Sequence, residues 1–210
     1  MVDADPTSPL QRAAAVMDRL RSPGGCPWDA AQTHQSLAKY LIEETYETLE
    51  AIETGDMALL REELGDLLLQ VLFHARLAEE LPAGQRFSID DVAGDLVDKL
   101  VHRHPHVFAD VAVTGADEVN ENWERLKATE KGRASITEGV PMGQPALALA
   151  AKLVSRADRA GVDAPIEGDG VGERLLAVVR DAVAAGVDPE LALRETARAY
   201  RDGLVEAETR

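Results

Sequence analysis

Two short acidic runs carry the chemistry of this 210-residue chain. Glu43, Glu44 and Glu47 form the first, and Glu62, Glu63 and Asp66 form the second. If both runs are helical, positions three apart lie about 60° from each other around the axis. Glu44 with Glu47, and Glu63 with Asp66, then project as pairs from one face. Such pairs are either ordinary solvated charges or halves of a carboxylate cluster, and the surroundings of the second run favour the cluster. With Glu63 at zero, Asp66 falls near 300°, Gln70 near 340° and His74 near 20°. Leu67 and Phe73 bracket this strip, while Leu64, Leu68, Leu69, Val71 and Leu72 fill the rest of the circle. A helix apolar on nearly all other sides is expected to be buried, its acidic strip turned to an internal cleft.

Two unit charges about 4 Å apart repel by roughly 4 kcal/mol at an effective dielectric near 20. Two facing strips therefore need an offsetting influence. Protonation is one answer. A hard divalent cation suits an all-oxygen set better, since neither cysteine nor a dedicated histidine pair accompanies it. Mg²⁺ is favoured because it is held by a few carboxylates together with water and substrate phosphates, with Mn²⁺ as a substitute.

The elements that must position these side chains read as helices throughout, and the expected fold class is all-α, a helical bundle. Ser8 and Pro9 open a first helix, and the run Ser22 to Pro27 ends it. A second runs from about Thr33 to Thr54 and stops at Gly55. Asp56 caps a third, through about Glu80. Ser88 with Asp91 begins a fourth, which Pro105 ends, and a fifth spans about Asp117 to Lys131. The stretch 134–145, rich in Gly and Pro, reads as a linker. It separates a domain at 1–133 from a tail at 146–210, whose helices are expected at 146–160, 171–185 and 189–207.

Composition narrows the function classes. The formal charge is 22 − 38 = −16, which opposes binding to a nucleic-acid polymer, where a surplus of Lys and Arg must neutralise phosphates. No uninterrupted apolar run approaches the ~18 residues of a membrane span. Cys26 is the single cysteine and cannot close an intrachain disulfide, and no leader pattern is evident, so a cytoplasmic setting is expected.

The text Glu43-Glu44-Thr45-Tyr46-Glu47, followed by Glu63-Leu64-Gly65-Asp66, resembles the EExxE and ExxD pattern of the all-α nucleoside triphosphate pyrophosphohydrolases. Gly25-Cys26-Pro27-Trp28-Asp29, Gln32-Thr33-His34, Arg103-His104-Pro105-His106-Val107-Phe108 and Trp123-Glu124 with Lys127 are similar to the MazG branch in particular. The likeness covers roughly residues 8 to 133. It implies hydrolysis of nucleoside triphosphates between the α and β phosphates, giving a monophosphate and pyrophosphate, with broad base specificity. It also implies Glu44, Glu47, Glu63 and Asp66 as metal ligands. Glu43 would be an auxiliary ligand or would orient the attacking water. A homodimer or higher homo-oligomer is implied as well. Narrower action on dUTP, dCTP or phosphoribosyl-ATP, or a non-catalytic helical interaction module, are the alternatives.

Candidate nucleotide contacts follow. Lys99 with Arg103, and Lys127 with Lys131, are spaced one helical turn apart. Each pair is either a phosphate contact or a favourable cation at a helix C-terminus. Within the MazG-like text, phosphate contact is favoured for Lys99 and Arg103. Trp28 either stacks on a base or anchors its loop. Asn122 and Trp123 are candidates for base or ribose. His102, His104 and His106 do not make a convincing zinc site, because Pro105 interrupts them and no acidic or sulfur partner adjoins. Cys26 has no base beside it and reads as a packing residue. The Ala-rich tail resembles a degenerate second MazG-like module that lacks both ligands and phosphate contacts, which implies packing or assembly as its work.

Overall fold

The computed structural model describes residues 8–131 and 134–209, and every regular element among them is helical. Ten helices follow in order: α1 (Pro9–Arg21), α2 (Pro27–Ala31), α3 (His34–Thr54), α4 (Met57–Ala78), α5 (Ile89–Arg103), α6 (Pro105–Phe108), α7 (Ala116–Lys131), α8 (Ala146–Ala160), α9 (Val171–Ala184) and α10 (Pro189–Glu208). The chain forms two compact units, one ending at Asn120 and the other beginning at Glu121, so the division falls within α7.

Local chemistry accounts for the helix ends. In α1, Ser8 and Gln11 cap each other reciprocally and Pro9 occupies the first helical position, where its missing N–H costs nothing. Thr33 and Ser36 make the same reciprocal pair before α3, as do Ser88 and Asp91 before α5. Those bonds hold the Asp91 carboxyl below its ordinary range, the Ser88 backbone N–H first and its hydroxyl second. α3 ends at Gly55, whose φ of 72° is left-handed and therefore suits glycine. Asp56 follows at once, its carboxylate accepting from the Ala58 and Leu59 N–H groups at 2.9 and 3.0 Å. This two-residue junction turns the chain sharply, and α3 and α4 pack as an antiparallel hairpin.

The first unit is built around that hairpin. Met17 of α1, Leu37 of α3, and Leu72, Phe73 and Leu77 of α4 are buried together, with Ala13, Ala14, Leu20, Tyr40, Leu68 and Ile89 packed against them. Burying each of the larger side chains contributes about 1.5–3 kcal/mol. The short helix α2 was not expected from the sequence. It is held by Arg21, whose guanidinium donates to the carbonyls of Asp29 and Gln32 and pairs with Glu80 at 2.8 Å. The turn before α2 requires Gly25, since a Cβ there would stand 2.3 Å from the Leu20 carbonyl oxygen.

One sequence expectation is corrected. α4 is not enclosed along its whole length: Leu64, Leu69 and Val71 are 52%, 41% and 43% exposed. The apolar circumference is covered mainly in the C-terminal half, where Leu72, Phe73, Ala75, Leu77 and Ala78 are buried. α1, α3 and α5 do not reach around the rest of the cylinder.

In the second unit, α8, α9 and α10 pack on one another. α8 ends at Gly161, and Asp188 caps α10 with Pro189 at its first position. The stretch preceding α8 lies against it: Arg156 donates to the carbonyls of Ile136 and Glu138, each at 2.8 Å, and Val140 is buried.

Candidate metal centre

The hairpin sets the register of the acids. Glu47 and Glu63 stand eight residues to either side of Gly55, and Glu44 and Asp66 stand eleven to either side. An antiparallel pair of helices folded at Gly55 therefore brings each acid level with its counterpart. Carboxylate oxygens of Glu44, Glu63 and Asp66 all lie within 4.8 Å of one another. Glu63 is buried, Glu44 and Asp66 are half-buried, and Glu47 and Glu43 are exposed. Glu47 is outside the close triad, one turn along α3 from Glu44, and is among the causes that raise the Glu44 carboxyl.

The electrostatics follow from this crowding. The Glu44 carboxyl is pushed above its ordinary range by loss of solvent first, then by the negative charges of Asp66 and Glu47, the Glu47 hydrogen bond and Glu63. Glu63 is pushed up in the same way, by loss of solvent and then by Glu47, Asp66 and Glu62. In addition, Glu63 Oε2 is buried with no hydrogen-bond partner. A buried acceptor left without a donor is costly. An all-oxygen set with one unpaired buried oxygen and two acids reluctant to ionise fits a hard divalent cation, which satisfies the lone pair and offsets the repulsion.

The other candidates fall at several places. Trp28, on α2, is 52% exposed, and its ring meets the Tyr40 ring edge-on at 6.1 Å. Tyr40 lies one turn before Glu44 on α3, so Trp28 is both anchored and left with ring surface open to solvent. Arg103 is buried at the end of α5, while Lys99 is exposed one turn earlier. Asn122, Trp123 and Lys127 lie on α7 in the second unit, where Asn122 accepts from Arg125 at 2.6 Å. Lys131 is the last residue of α7, and its side chain lies outside those described. His104 bonds the Leu100 carbonyl and its ring lies 5.5 Å from that of His106. Cys26 is the N-cap residue of α2, its N–H donating to the Leu20 carbonyl. α8 and α9 border an apolar groove of about 510 Å³, lined by Leu153, Leu175 and Val179 among others.

Sequence reasoning noted Gln70 and His74 only as members of the strip, and His34 only as part of a motif. Gln70 Oε1 and His74 Nε2 are buried without partners, and His74 meets His34 across the hairpin. Counting outward from Gly55 places His34 twenty-one residues before it and His74 nineteen after it, so the rule that pairs the acids does not pair the histidines.

Comparison with known proteins bears on this arrangement. The MazG nucleotide pyrophosphohydrolase domain matches residues 32–108, a span that holds all five acids of the candidate site. An uncharacterised 26.1 kDa protein of Streptomyces cacaoi is 58% identical over 97% of this chain and 84% of its own length. A protein of Thermotoga maritima named nucleoside triphosphate pyrophosphohydrolase/pyrophosphatase MazG is 38% identical over 91% of this chain and 82% of its own length. The chain belongs to the MazG family. A nucleoside triphosphate pyrophosphohydrolase of Mycobacterium tuberculosis is 47% identical over 93% of this chain, which spans only 57% of that longer protein. The MazG match begins just before α3 and ends with α6, so the hairpin and its acids lie wholly inside it.

Proposed function

We propose that this MazG chain is a metal-dependent nucleoside triphosphate pyrophosphohydrolase that converts (d)NTPs to (d)NMPs and pyrophosphate, with broad base specificity. The observation that carries the reading is the convergence of Glu44, Glu63 and Asp66 oxygens within 4.8 Å, together with the unpaired buried oxygen of Glu63. These three would hold Mg²⁺, or Mn²⁺ in its place, and Glu47, one turn along α3 from Glu44, would join them as the fourth ligand. When bound, the cation supplies neutralisation of the triphosphate, polarisation of the reacting phosphorus and a lowered pKa for coordinated water.

The chain's own residues supply the rest. Glu43, exposed beside the triad, would orient the water whose oxygen attacks the α phosphorus and accept its proton. Pyrophosphate then leaves with the electrons of the broken P–O bond. Lys99 and Arg103 would bind phosphate oxygens, Arg103 as a preoriented fork and Lys99 as a point charge. Trp28 offers its open ring surface to a base, and a stacking contact tolerates any base. Asn122, Trp123, Lys127 and Lys131 are assigned to the base, ribose and outer phosphates. A homodimer or larger homo-oligomer is the proposed assembly, supported by the exposed apolar side chains of Leu41, Ile42, Leu64 and Leu69 on the two acid-bearing helices.

The test is a panel of dNTPs and NTPs with Mg²⁺ and identification of products. Monophosphate with pyrophosphate is expected for all four bases, and none once EDTA is added. Release of orthophosphate would place cleavage at the γ position and overturn the reading.

A further inference from the structure

The α3–α4 hairpin is closed covalently at Gly55–Asp56 and open at its other end. At that open end His34 Nδ1 and His74 Nδ1 approach to 2.7 Å, although forty residues separate them in the chain. Their rings are parallel to within 6°, with centroids 5.0 Å apart. The acids lie between the two ends, so their mutual repulsion pushes the helices apart in the middle of the hairpin. The junction resists this at one end. At the other, the histidine contact and the buried cluster that holds Leu37 of α3 with Leu72, Phe73 and Leu77 of α4 must do so.

We propose that the His34–His74 hydrogen bond is a clamp that keeps the metal-binding carboxylates in register, and that it survives only while a single proton lies between the two facing nitrogens. The acids' role as ligands rests on the function proposed above; the cross-helix bond itself does not. Both residues are positioning residues.

The proton limit is a matter of donor chemistry. An imidazole nitrogen either donates or accepts, so an Nδ1–H···Nδ1 bond needs one ring of each kind. A second proton places two N–H groups head to head at 2.7 Å. Loss of solvent, and then the charge of His34, hold His74 below the ordinary histidine range, and its Nε2 is buried without a partner. The neighbouring charges do not welcome a second proton either. From α1, Arg21 lies 5.6 Å over the Phe73 ring and takes Glu80 as its partner. On α4 itself, Arg76 engages Asp18, Glu79 and Glu80. Lys39 of α3 stands over the Tyr40 ring. α2 carries Asp29, and α5 carries Asp90, Asp91, Asp95 and Asp98, of which Asp91 is engaged by Ser88.

The experiment titrates the full chain with Mn²⁺ alone, at about pH 7.5 and about pH 6, on either side of the histidine range. Wild type is compared with His74→Asn and His74→Leu. Asparagine sets an amide near the position of Nδ1 and keeps a bond without a titrating proton, whereas leucine keeps bulk and loses the bond. Leucine is expected to weaken Mn²⁺ binding about fivefold at the higher pH, the scale of one lost neutral hydrogen bond, with helical content unchanged. Asparagine should bind within about twofold of wild type there and, at the lower pH, lose the part of wild type's fall in affinity that exceeds the fall due to the acids themselves, which all three proteins share. Wild-type affinity and pH dependence in the leucine variant would overturn the clamp. Should either variant fail to fold, ¹⁵N spectra of the wild-type histidines decide: a slowly exchanging Nδ1–H that disappears on acidification supports the proposal, and a freely exchanging pair sinks it. The same spectra apply if the chain binds no Mn²⁺, an outcome that would refute the function reading and leave the histidine bond to be judged by itself.

Discussion

Glu63→Gln separates two effects of the acidic triad, its repulsion without metal and its affinity for metal, and these change stability in opposite directions. In the metal-free protein Glu44 and Glu63 are held above their ordinary range. The folded state therefore binds more protons than the unfolded chain between the ordinary carboxyl value, near 4.5, and the raised one. That contribution to stability is fully present below about 4.5 and is lost as pH rises through the raised values. In chelator the wild type should accordingly melt lower at pH 7 than its other interactions alone would set, with the deficit shrinking towards acid. Glutamine removes one charge from the triad and brings an amide N–H that a neighbouring carboxylate can accept. The variant should then melt above wild type in EDTA near neutrality and converge with it in acid. With Mg²⁺ at about 100 times its Kd, wild type gains about 2.7 kcal/mol by mass action, or roughly 5–10 °C in a chain of this size. The variant gains little, so the order of the two melting temperatures reverses between chelator and magnesium. Between the ordinary carboxyl value and the raised ones, metal binding by wild type should also release protons from Glu44 and Glu63, readable by calorimetry in buffers of different ionisation enthalpy. A variant that melts below wild type in EDTA, or that gains as much from Mg²⁺, would refute the assignment of these acids as a repelling metal site.

Three further outcomes are expected. Trp28→Ala should raise KM about tenfold for every nucleotide, a loss on the scale of one base-stacking contact, with little change in kcat; unchanged KM would leave Trp28 as an anchor only. Arg21→Met should destabilise the first unit by about 2 kcal/mol in denaturant titrations, the scale of a lost charged hydrogen bond. Glu80 sits below its ordinary range chiefly through the Arg21 hydrogen bond. Its contribution is present above the ordinary carboxyl value and lost as pH falls through the lowered one, so the acid limb of the stability curve should shrink in that variant. Leu37→Ala empties a site that is 1% exposed and should cost about 2–5 kcal/mol. Because Leu37 lies between the histidine pair and the acids, it should also weaken Mn²⁺ binding measured by titration; full affinity would show that the hairpin register does not depend on this contact.

What the sequence determined by itself is local. Helix identity, the caps at Ser8, Thr33, Asp56, Ser88 and Asp188, the stop at Gly55 and the pairing of acids along each helix all depend on residues within a turn or two of one another. Periodicity and side-chain chemistry report such features directly. The tertiary structure decided what depends on distant parts of the chain. It selected Glu44, Glu63 and Asp66 as the close triad, left Glu47 at its edge and Glu43 exposed, and set His34 against His74. It also left Leu64, Leu69 and Val71 uncovered on a helix whose composition implied burial. A helical pattern states which residues share a face, but the register of two helices and the covering of a face are set by contacts made only when the chain folds back on itself.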